Sequence, residues 1–149
     1  MPRGRREAMT PYFAYGANLD RAGMARRCPR SRPRGTARLE DHRFLIMATG
    51  YATVVPAPGA VVHGILWDLA NTDMPALDFF EEVDAGLYRK VALPVRLGAD
   101  EVGALVYRGA STVRGVPCPG YMEMVLAAAA GWDLPAAYLS ELRGWLAAS

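Results

Sequence analysis

Short strand-like runs separated by turn residues fill the middle of this chain, and its two clearest helical patterns come last. That order limits the possible folds more than any other feature. Pro11 to Tyr15 is a short aromatic strand candidate closed by Gly16, and Asn18 to Arg27 reads as a helix with Asn18 or Asp20 as its N-cap. Arg34 to Ala48 carries a strand ending in a turn at Gly50. Ala52 to Val55 and Val61 to Leu69 read as two further strands joined by a turn at Pro56 to Gly59. Asn71 and Asp73 offer caps for a short helix reaching about Val83. Arg89 to Leu97 and Glu101 to Arg108 form a hairpin around Gly98-Ala99-Asp100. Tyr121 to Ala130 and Pro135 to Ala148 then read as helices, with Pro135 in the first turn and Leu139, Leu142 and Leu146 facing the core. Neighbouring strand pairs imply antiparallel hairpins rather than βαβ repeats, so the expected class is α+β.

The 149 residues suit one domain, expected over residues 11–149 behind a disordered basic tail at residues 1–10, MPRGRREAMT. That opening lacks the apolar centre of a secretory signal, and no apolar run approaches the roughly 18 to 20 residues of a membrane span. Arginine dominates the basic residues, Lys90 being the only lysine, but the net charge is just +2. Neither stacking aromatics nor a recognisable nucleic-acid module accompanies the arginines between Arg21 and Arg38, so no nucleic-acid partner and no membrane contact are expected. Cys28 and Cys118 form no C-x-x-C pair, and His42 and His63 lie apart from them and from each other. Packing or surface placement is the ordinary reading of all four; no metal, no cofactor and a reducing, cytoplasmic setting follow as expectations.

The chain has no G-x-S-x-G elbow, no G-x-G-x-x-G at a helix start and no phosphate-binding G-x-x-x-x-G-K-[ST]. Chemistry would have to come from a carboxylate, a tyrosine or main-chain amides. Two segments supply candidates. In Tyr12-Phe13-Ala14-Tyr15-Gly16-Ala17-Asn18-Leu19, a strand runs through a glycine into a helix, leaving amide groups at the helix start without partners. Such amides favour an anion or an oxyanion, and Gly16 would let a ligand approach the main chain; an ordinary strand–helix turn has the same pattern. In Met74 to Val83, a helical wheel with Met74 at zero puts Leu77 near about 300°, Phe80 near about 240° and Glu81 near about 340°. Glu81 therefore falls within the apolar stripe, with Asp78 and Glu82 on its flank. A carboxylate turned toward a core either has a partner, such as an arginine, or a purpose. Burial raises its pKa toward the range that suits proton transfer.

With these residues in place the chain resembles the γ-glutamylcyclotransferase family, also called AIG2-like. The family's Y-G-S-N-L loop corresponds to Tyr15-Gly16-Ala17-Asn18-Leu19. Its Leu-Asp-x-x-Glu-Gly helix end, followed by a tyrosine, corresponds to Leu77-Asp78-Phe79-Phe80-Glu81-Glu82 and Tyr88. Gly50 to Leu69, Pro117 to Tyr121 and Leu134 to Tyr138 follow in matching order, so the likeness runs from Tyr12 onward. It implies a small mixed β-barrel with flanking helices and Glu81 as the catalytic residue. It also implies a pocket for a γ-glutamyl group lined by Tyr12, Tyr15, Gly16, Ala17 and Asn18, with Tyr88 and Tyr121 near the ligand. Two departures stand out: Ala17 replaces the family's serine and Glu82 its glycine.

The implied reaction is intramolecular aminolysis of a small γ-glutamyl compound to 5-oxoproline and a released amine or amino acid, carried out by a monomer or homodimer. The leaving group stays open between an amino acid and an amine or isopeptide. A non-catalytic, metabolite-binding module also stays open, because a fold does not fix its function.

Overall fold

The computed structural model describes residues 7–146. Among them, five strands and four helices follow in order: β1 (Met9–Ala14), α1 (Arg21–Arg27), β2 (Arg32–Ile46), β3 (Ala52–Ala70), α2 (Met74–Phe80), β4 (Tyr88–Leu97), β5 (Asp100–Gly109), α3 (Tyr121–Gly131) and α4 (Ala136–Arg143). The sheet runs β1-β3-β2-β4-β5 and closes on itself, an α+β architecture with helices around a mixed sheet. Closure rests on a parallel contact of β1 with β5 at Tyr12 and Leu105; every other pairing is antiparallel. Phe13, Leu39, Ile46, Val62, Leu66 and Val106 are fully buried within it. Burying a side chain of this size contributes about 1.5–3 kcal/mol, so these residues hold the sheet closed. Met122, Val125 and Ala129 of α3 and Tyr138 and Leu142 of α4 extend the same core.

Several expectations are corrected. Ala52 to Val55 and Val61 to Leu69 are not a hairpin but one strand, β3, with both parts paired to β2. Pro56 lies opposite His42 and Val61 opposite Glu40, so residues 57–60 bulge against Asp41 instead of reversing the chain. The Gly59 amide donates to Asp41 Oδ1 at 2.9 Å, and Asp41 itself has φ 58. This part of β3 pairs with β2 alone, so a proline there costs no ladder bond on its other edge. The proposed tail lies mostly outside the described residues, but Met9 and Thr10 belong to β1, opposite Ala70 and Leu69. Pro135 is the N-cap of α4 rather than part of its first turn, and Ala148 lies outside the described residues. The buried stripe at that end is Leu134, Tyr138, Leu142 and Trp145, with Leu139 only half-buried and Leu146 more exposed. Leu142 keeps the deepest position, and the rings of Tyr138 and Trp145 take the places expected for Leu139 and Leu146.

The closed sheet leaves one opening that matters. β1 ends at Ala14 against β3, where Gly64 sits so close that an added Cβ would lie 2.2 Å from the Ala14 carbonyl oxygen. Beyond that contact the chain leaves the sheet and turns across its mouth.

Candidate active site

A cavity of about 340 Å³ opens where β1 leaves the sheet. Its walls include Tyr12, Tyr15, Gly16, Ala17 and Asn18, all expected, together with Glu81, Tyr88 and Tyr121 from three other parts of the chain. The structure therefore brings all eight candidate residues to one site.

The first wall is the turn after β1. Ala17–Leu19 forms a single 3₁₀ turn, with the Leu19 amide donating to the Gly16 carbonyl at 3.0 Å. The amides of Ala17 and Asn18 precede that first bond and have no acceptor inside the turn. Trp132 Nε1 donates to the Leu19 carbonyl at 2.7 Å and pins the turn from the α3 side. Asp20, not Asn18, caps α1, its carboxylate accepting from the Gly23 amide at 3.1 Å. Asn18 is thereby free of capping and its side chain turns inward, 2% exposed. Gly16 is needed for close approach: a Cβ there would stand 2.9 Å from the Tyr121 hydroxyl.

Glu81 forms the opposite wall. α2 ends at Phe80, and Glu81 is its C-cap, with its amide still donating to the Leu77 carbonyl at 2.9 Å. That last helical bond keeps Glu81 near the orientation the wheel predicts, while fully buried Leu77 anchors the helix below it. Phe80, expected on the apolar stripe, is instead 39% exposed and packs its ring under the Arg27 guanidinium at 3.8 Å. Glu81 is half-buried, and Asn18 Nδ2 donates to its Oε1 at 3.0 Å. The same nitrogen donates to the Tyr12 hydroxyl at 2.9 Å. Burial pushes the Glu81 carboxyl up to about 7, opposed by the positive charge of Arg27. A carboxyl at that value exchanges protons readily near neutrality.

The rest of the pocket is phenolic and apolar. Tyr15 donates to the Tyr107 carbonyl and Tyr88 to the Ala52 carbonyl, each at 2.5 Å. The Tyr121 hydroxyl accepts from the Ala52 amide at 3.3 Å, and its ring meets Tyr51 edge-on. Burial raises the pKa of Tyr12, Tyr15, Tyr88, Tyr107 and Tyr121, so these phenols stay neutral and Glu81 is the group that titrates. Among the described residues, no cluster of His, Cys, Asp and Glu could hold a metal ion.

Tyr51, Tyr107, Leu87 and Met124 also line the cavity and were not identified from sequence. Tyr107 was within reach. The Gly98-Ala99 turn sets Leu97 opposite Asp100, and alternation back along the hairpin then places Tyr107 on the same face as Tyr88. Tyr107 donates to Asp78 Oδ1 at 2.6 Å, and Lys90 holds the other oxygen of that carboxylate at 3.0 Å. Tyr51 follows a turn with no periodic signal of its own.

Residues 61–142 match the model of the AIG2-like family. The human protein named γ-glutamylcyclotransferase is 27% identical over 145 residues, spanning 89% of this chain and 76% of that protein. Its bovine namesake is 27% identical over 142 residues, spanning 88% and 76%. A solved structure of a γ-glutamyl cyclotransferase superposes with a TM-score of 0.84 at 25% identity, covering 91% of this chain and 86% of the other.

Proposed function

The chain belongs to the AIG2-like family, and from that premise we propose that it is an enzyme of the γ-glutamylcyclotransferase type that closes a γ-glutamyl group to 5-oxoproline. The observation that carries this reading is the Glu81 carboxylate at the cavity wall, held by Asn18 at 3.0 Å where burial pushes its pKa up to about 7.

The reaction needs little from the protein beyond conformation and proton transfer. The attacking α-amine and the γ-carbonyl share one molecule, so holding the folded-back conformer supplies much of the rate. Glu81, as the carboxylate, takes a proton from the α-ammonium, and the freed amine attacks the γ-carbonyl carbon. The new C–N bond gives a tetrahedral centre with a negative oxygen, for which the Asn18 amide and the Ala17 amide, the latter facing the Tyr121 hydroxyl in this structure, are the candidate donors. As the bond to the leaving nitrogen breaks, protonated Glu81 delivers a proton to it. The attacking nitrogen then gives Glu81 its second proton, which passes to the departed amine, so two protons leave one nitrogen, two reach the other, and Glu81 ends as it began. Ala17 offers only its amide in this scheme, because it has no hydroxyl.

A second reading differs only in the leaving group. Among the described residues, the one charged residue besides Glu81 that lines the cavity is Glu82, and no lysine or arginine lines it. That lining suits a neutral or cationic amine better than an amino acid with a free carboxylate. Both readings are tested by incubating the protein with γ-glutamyl amino acids and γ-glutamyl amines and measuring 5-oxoproline by mass spectrometry. Turnover of the amines alone selects the second. If no member of the panel yields 5-oxoproline, the chain is a binding module and the proposal fails.

A further inference from the structure

Arg27 lies behind the pocket wall rather than in it, and three features of the structure converge on its guanidinium. Its Nη2 donates to Asn18 Oδ1 at 2.5 Å. Its plane rests on the Phe80 ring, 3.8 Å from the centroid. Gly23, one helical turn earlier on α1, leaves the space it occupies, since a Cβ at that position would stand 2.8 Å from Arg27 Nη2 and 3.0 Å from Nη1. Glycine inside a helix costs about 1 kcal/mol relative to alanine, and here it makes room for one side chain to fold back along its own helix.

An asparagine amide can face either way, and its two ends have opposite effects on a carboxylate. With Oδ1 bound to Arg27, the Nδ2 end must face the pocket, where it reaches both the Tyr12 hydroxyl and Glu81 Oε1. Reversed, the amide oxygen would meet Glu81 and stabilise only the protonated acid. Glu81 Oε2 has no hydrogen-bond partner among the described residues, so this arrangement leaves that oxygen for substrate.

We propose that Arg27 is a positioning residue for the proton transfer: through Asn18 it fixes the direction of the amide and presents Glu81 to the substrate as a carboxylate with one oxygen held and one free. This rests on Glu81 being the group that moves the proton. The groups facing Glu81 from the surrounding elements are Tyr12 of β1, Tyr15 just after it, Tyr88 of β4, Tyr107 of β5 and Tyr121 of α3, with Glu82 next in sequence. The five phenols are neutral, and Arg27 is the cation that acts on Glu81. Its charge and its hold on Asn18 act in the same direction, both favouring the ionised carboxylate.

The test is the titration of Glu81 itself, followed by carbon NMR of the ¹³C-labelled side-chain carboxyl in the protein without substrate, in wild type and in Arg27→Met, Arg27→Lys and Gly23→Ala. Removing the charge and the amide clamp in Arg27→Met raises the midpoint by on the order of one unit. Arg27→Lys, with charge but no fork to hold Oδ1, falls between the two. Gly23→Ala displaces the guanidinium while keeping its charge; its methyl also stands 3.0 Å from Asp20 Oδ2, which offsets the better helix propensity, so it raises the midpoint with little change in thermal stability. A midpoint unchanged in Arg27→Met, or in Gly23→Ala should the former not fold, overturns the proposal. Because the readout needs no turnover, it stands apart from the function test: a protein that makes no 5-oxoproline but shows the raised midpoint loses the enzyme assignment and keeps the Arg27 linkage. In an active protein, the acid limb of kcat/KM moves upward by the same amount, whereas a merely structural role would lower activity without moving that limb.

Discussion

Asn18 and Glu81 stand 63 positions apart in the chain and 3.0 Å apart at the mouth of the sheet, Nδ2 to Oε1. One comes from a 3₁₀ turn after the first strand and the other from the cap of a seven-residue helix. The amide satisfies a half-buried carboxylate at one oxygen, enough to hold it in place without drawing its pKa down to the usual carboxylate range. A group so held can both accept and return a proton, and the predictions below follow from it.

Glu81→Gln keeps the shape and the hydrogen bond from Asn18 but removes the titrating group. The rate of 5-oxoproline formation falls by about 10²- to 10⁴-fold while far-UV circular dichroism is unchanged. In wild type, kcat/KM rises with pH through a midpoint near 7, as the carboxylate forms. Equal turnover by wild type and Glu81→Gln would remove Glu81 from the mechanism.

The same group makes stability depend on pH. The carboxyl titrates near about 7 in the folded protein against an ordinary value of 4.5, so between those values the folded state binds more protons than the unfolded state. Stability contributed by this residue is therefore present below pH 4.5 and is lost as pH rises through 7, amounting to at most about 3 kcal/mol. Denaturant unfolding at pH 5 and pH 8 should show that loss in wild type and a smaller one in Glu81→Gln.

Gly16 and Tyr121 are coupled by contact. Gly16→Ala drives a methyl group into the Tyr121 hydroxyl and lowers kcat/KM on the order of tenfold or more. Adding Tyr121→Phe makes room for that methyl and recovers part of the loss. Kinetics of the two single variants and the double variant would show non-additive effects; strict additivity would mean that the contact does not matter to the pocket.

Glu82 holds φ at 51, a left-handed conformation that costs a side-chain-bearing residue roughly 1–2 kcal/mol. Glu82→Gly relieves that strain but gives the unfolded chain more freedom, leaving a net gain of up to about 1 kcal/mol. Thermal unfolding should move upward by a few degrees. A clear decrease would mean that the exposed carboxylate makes a stabilising contact in the folded state.

Much of this was legible in the residues themselves. The hairpin around Gly98 could be read because turn chemistry and alternation act between near neighbours. Glu81 could be read because a helical wheel over one short segment places a carboxylate among apolar positions. Pro56 to Gly59 misled because the same residues that favour a turn also permit a bulge, and choosing between them takes a partner strand. Asn18 offered a capping reading and a pocket reading, and Asp20 took the cap.

The local pattern thus established most of the elements, the α+β class and an acidic residue turned toward apolar neighbours, since period and turn preference are properties of neighbouring residues. Register and side-chain direction are set by closing the sheet, which brings distant positions into contact, and no short window contains them. Closure alone joined Tyr12, Asn18 and Glu81, turned Tyr107 toward Tyr88, and laid Arg27 over Phe80 where its charge bears on the carboxylate.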